Sequence, residues 1–191
     1  DKNLYLGVLK KHSTIEPTLS IVNLEIHKYQ IKNITTSNIN LTECMSDVNC
    51  TLMFSPKIGG LLTFTTSGVV YSKVISSDTS NHQFHLVTVK SFPYRDVIFT
   101  NYCEVDDFRY LVSGNKGQMF FLAFKSNKEF IFQFLGKASI SKCLTYIDNN
   151  YFFLGSCNGD NQIIKILKKQ RMDTTQPQLE VVQEIKSLAP I

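Results

Sequence analysis

The chain has 191 residues, 43% of them hydrophobic and 19% charged, with 14 Phe, 8 Tyr and no Trp; this is long enough for one substantial core and excludes a disordered chain. The net charge of +4 comes from 20 Lys and Arg against 16 Asp and Glu, a mild excess spread along the sequence rather than concentrated in one run, which is weak evidence for nucleic-acid binding. No run reaches the roughly 18 apolar residues of a membrane-spanning helix, so a soluble chain without a membrane partner is expected.

In chain order, Asn3 to Leu9 is a short apolar strand, Lys10 to Pro17 a polar connection, and Thr18 to Ile26 a second strand with imperfect alternation of Leu19, Ile21, Leu24 and Ile26. The two predict a hairpin with a long loop. Tyr29 to Ser46, rich in Asn, Thr and Ser, reads as either a weak outer strand or an excursion between sheets. Thr51 to Phe54 is a strand, Ser55-Pro56-Lys57 breaks it, and Gly59-Gly60 leads into Leu61 to Thr65. Val69 to Ile75 closes that hairpin and Ser76 to Gln83 is a loop. Phe84 to Lys90 is the next strand, Pro93 interrupts, and Val97 to Tyr102 resumes. Phe108 to Val112 and Met119 to Phe124 form a hairpin, with Phe130 to Leu135 outside it. Ile140 to Ile147, Tyr151 to Gly155 and Asn161 to Leu167 are consecutive strands separated by turns at Asp148-Asn149-Asn150 and Asn158-Gly159. A polar loop, Lys168 to Gln178, precedes the alternating Leu179 to Ile185, and no stretch keeps a helical period.

A three-strand meander cannot bury its apolar face alone, and the pattern recurs. Leu154-Gly-Ser-Cys-Asn-Gly159 before Gln162-Ile-Ile has counterparts in Leu111-Val-Ser-Gly-Asn-Lys-Gly117 before Gln118-Met-Phe-Phe, and in Leu62-Thr-Phe-Thr-Thr-Ser-Gly68 before Val69-Val-Tyr. Gly68 to Gly117 is 49 residues and Gly117 to Gly159 is 42, within the roughly 40–50 of propeller blades. The expected fold is all-β: part of a β-propeller, about three to four blades of four-stranded antiparallel sheet, in an incomplete ring. Blade-like repeats are expected near residues 1–50, 51–102, 103–135 and 136–191. The start, Asp1-Lys2-Asn3-Leu4, has neither an initiator Met nor a signal-peptide pattern, so an excerpt of a longer chain is expected.

Catalytic constellations are not found. The one Gly-Lys pair, Gly136-Lys137, has Ile131 where a phosphate-cradling loop needs its first Gly and Ala138 where it needs a hydroxyl. Gly155-Ser156 with Gly159 has the wrong spacing for a nucleophile elbow. His82 and His85 have no third ligand, so ordinary exposed histidines are expected. Glu104, Asp106 and Asp107 could hold a cation or form an acid/base pair, but just before a strand they read as a solvated turn. Five cysteines, Cys44, Cys50, Cys103, Cys143 and Cys157, lack any Cys-x-x-Cys pair, which points to a reducing compartment. Cys143 and Cys157 are expected to act as small hydrophobes. The sequons at Asn33, Asn40 and Asn49 pull toward an extracellular protein, but such matches arise easily in an Asn- and Thr-rich stretch. Lys168-Lys169-Gln170-Arg171 reads as a solvated loop rather than a phosphate site. No catalytic residue, metal site or cofactor is expected.

Hairpin ends are what a propeller presents to partners. The candidate partner-binding residues are therefore Asn115, Lys116, Asn149, Asn150, Asn158 and Asp160. The competing reading is that Asn and Gly are there for positive φ.

Leu135-Gly-Lys-Ala-Ser-Ile-Ser-Lys-Cys-Leu-Thr-Tyr-Ile-Asp-Asn149 with Phe153-Leu-Gly-Ser-Cys-Asn-Gly-Asp-Asn-Gln-Ile-Ile-Lys165 resembles the large subunit of the damage-specific DNA-binding protein, the propeller adaptor of cullin-4 ubiquitin ligases. Pro56-Lys-Ile-Gly-Gly60, Val105-Asp-Asp-Phe-Arg-Tyr-Leu-Val-Ser-Gly-Asn-Lys-Gly117 and Ser187-Leu-Ala-Pro-Ile191 fit in the same order, whereas Lys10 to Ser46 matches poorly. The large subunit of the cleavage and polyadenylation specificity factor and subunit 3 of splicing factor 3b share the architecture. Cys143-Leu-Thr-Tyr-Ile-Asp-Asn149 with Gly159, Asp160 and Gln162 favours the cullin adaptor. The resemblance implies a piece of the first of three propellers in a nuclear, and also cytoplasmic, non-catalytic scaffold. It implies substrate receptors or other complex subunits as partners, together with the remainder of the multi-propeller chain. Nucleic acid is engaged only indirectly, and cullin binding falls to the second propeller. An RNA-processing scaffold is the alternative within the family; an enzyme with a channel site and a glycosylated extracellular propeller are the alternatives outside it.

Overall fold

The computed structural model describes residues 2–12, 15–40, 50–66, 68–74, 84–91, 97–126, 129–156, 158–167 and 178–186. Among the described residues every regular element is a β-strand, and the strands form four sheets, within each of which chain neighbours pair antiparallel. The chain divides into two compact units, Asp1–Arg95 and Asp96–Ile191.

The first unit opens with a three-stranded sheet, β1 (Lys2–His12), β2 (Ile15–His27) and β3 (Gln30–Asn40). Pairing of β1 with β2 runs from Lys2↔Ile26 to His12↔Ile15. The long polar connection expected at Lys10 to Pro17 is therefore mostly ladder. Backbone N–H and C=O groups gain from pairing whatever the side chains are, so strands run past the last apolar residue. Of the two readings of Tyr29 to Ser46, the strand is correct through Asn40, with β3 paired from His27↔Gln30 to Thr18↔Asn40; residues 41–49 lie outside the described ones. The turn between β2 and β3 carries positive φ at Lys28 (47°) and Tyr29 (66°), without the Gly or Asn such a turn favours.

The second sheet of this unit is β4 (Cys50–Phe54), β5 (Leu61–Thr65), β6 (Gly68–Val74) and β7 (Phe84–Ser91). Leu62, Phe64, Val69, Val70 and Tyr71 are fully buried, and Phe54 stacks on Phe64 with centroids 5.7 Å apart. Gly60 has φ 84°, and a Cβ there would lie 2.5 Å from the Ser72 carbonyl oxygen, so the glycine pair before β5 serves both turn and close approach. Gly7 of β1 faces Met53 and Leu61, whose side-chain ends would have to shift to admit a Cβ there. The expected loop at Ser76 to Gln83 and the break at Pro93 lie outside the described residues.

Thr63 is fully buried, and its Oγ1 has no hydrogen-bond partner among the described residues. An unmade buried hydrogen bond is destabilising, and valine has nearly the same shape. Thr63→Val is expected to raise unfolding stability by about 1 kcal/mol, read as a higher urea midpoint at unchanged slope; a lower midpoint would show that the hydroxyl is satisfied.

The second unit holds two four-stranded sheets. The first is β8 (Phe99–Glu104), β9 (Arg109–Gly114), β10 (Gln118–Ser126) and β11 (Glu129–Lys137); the second is β12 (Ser141–Asp148), β13 (Tyr151–Ser156), β14 (Asn161–Ile166) and β15 (Leu179–Ile185). The strand beginning at Phe99 pairs with β9, from Phe99↔Gly114 to Glu104↔Tyr110. It therefore belongs with 109–137, not with the preceding repeat to which residues up to 102 were assigned. Apolar content alone cannot assign a strand to the hairpin before it or after it.

Leu111, Met119, Leu135, Leu144, Phe152, Leu154, Ile164 and Leu179 from the two sheets form one buried cluster with Cys103. The other side of the β8–β11 sheet is aromatic: Phe120 lies 5.1 Å from Phe132, 5.3 Å from Phe99 and 5.4 Å from Phe134 by ring centroids. Strands β9 and β10 are thus apolar at both parities, as strands covered on both faces must be. Polar bonds also join the sheets: Asn101 Nδ2 donates to the Ser141 carbonyl (2.9 Å), the Ser113 and Ser141 hydroxyls meet at 2.5 Å, and beside β15 Gln178 donates its N–H to the Leu135 carbonyl (3.0 Å) and accepts Gln133 Nε2 on Oε1 (2.9 Å).

Candidate functional site

Successive turns of an antiparallel meander fall at alternate ends of its sheet. In the second unit the β9–β10 turn, with Asn115, Lys116 and Gly117, and the β13–β14 turn, with Asn158, Gly159 and Asp160, each join the second and third strands of a sheet. Hydrogen bonds tie the first turn and the start of β14, just after the second, to the segment linking the sheets: Ala138 N–H donates to the Gly117 carbonyl (2.9 Å), and Ser139 N–H to Gln162 Oε1 (2.9 Å). Four of the six candidates, Asn115, Lys116, Asn158 and Asp160, therefore share one end of the unit. Asn149 and Asn150, in the β12–β13 turn, lie at the opposite end of their sheet.

Local chemistry separates the candidates further. Asn115 is held by its own strand neighbour, donating its N–H to the Ile98 carbonyl (2.8 Å) and accepting the Ile98 N–H on Oδ1 (3.2 Å). Lys116 is exposed at the turn, with its backbone N–H donated to Gln118 Oε1 (2.9 Å). Asn149 and Asn150 have φ 49° and 66°, the left-handed pair of a two-residue hairpin turn. Asn149 is pinned to the Asp148 carboxylate through N–H (2.7 Å) and Nδ2 (3.1 Å). Backbone shape accounts for that pair. Asn158 is exposed and Asp160 half-buried.

The acidic cluster sits in the β8–β9 turn. Asp106 accepts the Phe108 N–H (2.9 Å) and pairs with the Arg109 guanidinium (2.6 Å), while the Asp107 carbonyl accepts the Tyr110 hydroxyl (3.3 Å). Partial burial pushes the Asp106 pKa up, but the Phe108 N–H and Arg109 outweigh it and hold the carboxyl below its usual value. These bonds make a structured turn, and among the described residues no group of three or more His, Cys, Asp or Glu could hold a metal ion. His82 lies outside the described residues and His85 stands in β7 opposite Lys73. The basic cluster 168–171, Asn49 and Cys157 also lie outside them. Asn33 is exposed on β3 with Oδ1 accepting the Ile34 N–H (2.9 Å). Among the described residues no helix is long and apolar enough to cross a membrane.

The cysteines differ from one another. Cys143, expected to act as a small hydrophobe, is exposed on β12, where its side chain lies over Gly155 on the face away from the core cluster. Cys103 is buried, and burial pushes its thiol pKa up from 9.0 to about 12. A thiol is neutral when protonated, so the stability it contributes is complete below pH 9.0 and is lost as pH rises through about 12. Iodoacetamide at neutral pH is expected to alkylate Cys143 in the folded chain and spare Cys103 until denaturant is added; equal labelling of both would overturn this burial assignment.

One exposed tip escaped the sequence reading. Tyr29 is 103% exposed between β2 and β3, with Ile31 and Ile34 also exposed beyond it. Lys28-Tyr29 carries no turn signal, so nothing in the residues marked the site.

A family model described as the RSE1/DDB1/CPSF1 first beta-propeller matches residues 7–186. DNA damage-binding protein 1 of Solanum lycopersicum is 32% identical over 108 residues, covering 53% of this chain and 10% of the relative. DNA damage-binding protein 1 of Drosophila melanogaster is 24% identical over 200 residues, covering 94% of this chain and 16% of the relative. DNA damage-binding protein 1a of Arabidopsis thaliana is 32% identical over 108 residues, covering 53% of this chain and 10% of the relative. The chain thus spans 10% to 16% of the length of these relatives.

Proposed function

The chain belongs to the RSE1/DDB1/CPSF1 first-propeller family, and from that premise we propose that it serves as a segment of a non-catalytic adaptor that links a cullin-type ubiquitin ligase to substrate receptors in DNA repair or replication. The observation that carries the reading is the match of one family model to nearly the whole chain, joined by relatives named DNA damage-binding protein 1. Its four sheets are read as consecutive blades, and its work as presenting a surface to protein partners in the nucleus, with no chemistry of its own.

The partner surface is assigned to the end that carries Asn115, Lys116, Asn158 and Asp160. Two turns tied into one hydrogen-bonded end offer a fixed polar surface, whereas Asn149 and Asn150 serve their own turn. What supports this choice is geometry: the Asn115 turn is braced by Ile98, and the linking segment bridges Gly117 to Gln162.

Affinity capture with the tagged parent protein from nuclear extract tests the reading. Cullin-ligase subunits and substrate receptors are the expected co-purifying proteins, with receptor recovery reduced by Lys116→Glu combined with Asp160→Lys at unchanged thermal stability. Recovery of pre-mRNA cleavage or splicing subunits without a cullin would replace the proposal with the RNA-processing scaffold. Full receptor recovery by the double variant would move the partner surface elsewhere.

A further inference from the structure

Asn158-Gly159 is the one Asn-Gly pair in the sequence, and it stands in the β13–β14 turn with both residues exposed. Among the described residues neither takes part in a hydrogen bond. Among the described residues, then, nothing holds the side-chain amide or the following backbone nitrogen. Gly159 adds no side chain that would shield its nitrogen, and its φ is outside the left-handed region.

Four other asparagines of the unit are held and shielded. Asn101 Nδ2 is held on the Ser141 carbonyl, Asn115 Oδ1 on the Ile98 N–H, Asn149 on Asp148, and Asn161 Oδ1 on the Ser156 N–H. Each is followed by a residue with a side chain, namely Tyr102, Lys116, Asn150 and Gln162.

We propose that Asn158-Gly159 is a self-modifying site at which Asn158 deamidates to isoaspartate or aspartate. The Gly159 amide nitrogen, its proton lost to solvent base, attacks Asn158 Cγ. The new N–Cγ bond closes a five-membered succinimide as the Cγ–Nδ2 bond breaks and ammonia leaves, taking up a proton from solvent. Water then adds to one of the two ring carbonyls and opens the ring, so no redox partner or enzyme is needed. A neutral amide becomes a carboxylate two residues from Asp160, and the isoaspartyl product adds a methylene to the backbone of the turn.

The consequence for binding rests on the assignment of this end as the partner surface: deamidation turns it more acidic and reshapes its loop, and so weakens capture of the receptor as the protein ages. The modification is tested by itself. The intact parent protein is incubated at mildly alkaline pH under native conditions and digested, and the peptides are weighed for the gain that accompanies exchange of an amide for an acid. Asn158 is expected to convert about tenfold faster than Asn115, Asn149 or Asn150, a difference that corresponds to about 1.4 kcal/mol in barrier. Gly159→Ala should suppress it at unchanged thermal stability, because among the described residues a Cβ there meets only Ser156 Oγ at an ordinary 3.5 Å. Conversion of Asn158 no faster than of the other three, or undiminished in Gly159→Ala, would overturn the proposal. Receptor capture by aged and fresh protein is a separate readout: unchanged capture by fully converted protein would refute the partner surface and leave the chemistry standing.

Discussion

Replacing Phe120 with alanine is expected to lower unfolding stability by about 3–5 kcal/mol. Phe120 is fully buried at the centre of β10 and meets Phe99 edge-on, Phe132 in a stack and Phe134 at a tilt. Truncation removes the burial of a large ring and opens a cavity that three stiff aromatic neighbours cannot collapse into, so the loss lies toward the upper part of that range. Ile131 on the neighbouring strand is 42% exposed, and Ile131→Ala is expected to change stability by about 0.5 kcal/mol or less. Urea unfolding followed by circular dichroism gives both numbers. Equal effects for the two variants would contradict the burial assigned to this aromatic face.

Gly117→Ala is expected to be nearly as damaging, at about 2–4 kcal/mol, combining left-handed strain with a steric conflict. Gly117 has φ 76°, and a Cβ there would run into the carbonyl oxygen of Ala138. That carbonyl is fixed, because the neighbouring Ala138 N–H donates to the Gly117 carbonyl (2.9 Å) and Gly117 N–H donates to the Gly114 carbonyl (3.1 Å). Asparagine tolerates positive φ yet brings the same Cβ, so Gly117→Asn should rescue little if contact dominates and most of the loss if dihedral strain does. The geometry predicts little rescue. A Gly117→Ala midpoint equal to the parent's would refute the close approach of turn and linking segment.

Several elements were readable from residues alone for a local reason. The Asn149-Asn150 turn was marked by residue types that accept positive φ, and both dihedrals are positive. Gly59-Gly60 was read as a turn or close approach and has both roles. Strand β9 was recognisable because Tyr110, Leu111 and Val112 are apolar at both parities, the pattern of a strand covered on two faces. The Lys28-Tyr29 turn was not readable, since it is formed by the register of two long strands that meet there rather than by its own residues.

The candidate site divides in the same way. Its turn residues were found one by one from Asn, Gly and Asp, but which of them share an end follows from strand order and from bonds such as Ala138 to Gly117 and Ser139 to Gln162, spanning 21 and 23 positions. Cys143 and Cys103 both stand in apolar strands, and only packing decides that one lies over a glycine on an open face while the other joins the core.

By itself the sequence determined the class of structure, its antiparallel meanders, the repeat near 42 to 49 residues and the family, because periodicity, turn chemistry and motif order are properties of neighbours along the chain. Only the tertiary structure decided where one sheet ends and the next begins, which hairpin ends stand together and which polar side chains remain free to bind or react. Those outcomes depend on pairing and packing between residues far apart in the chain, and local pattern carries no record of them.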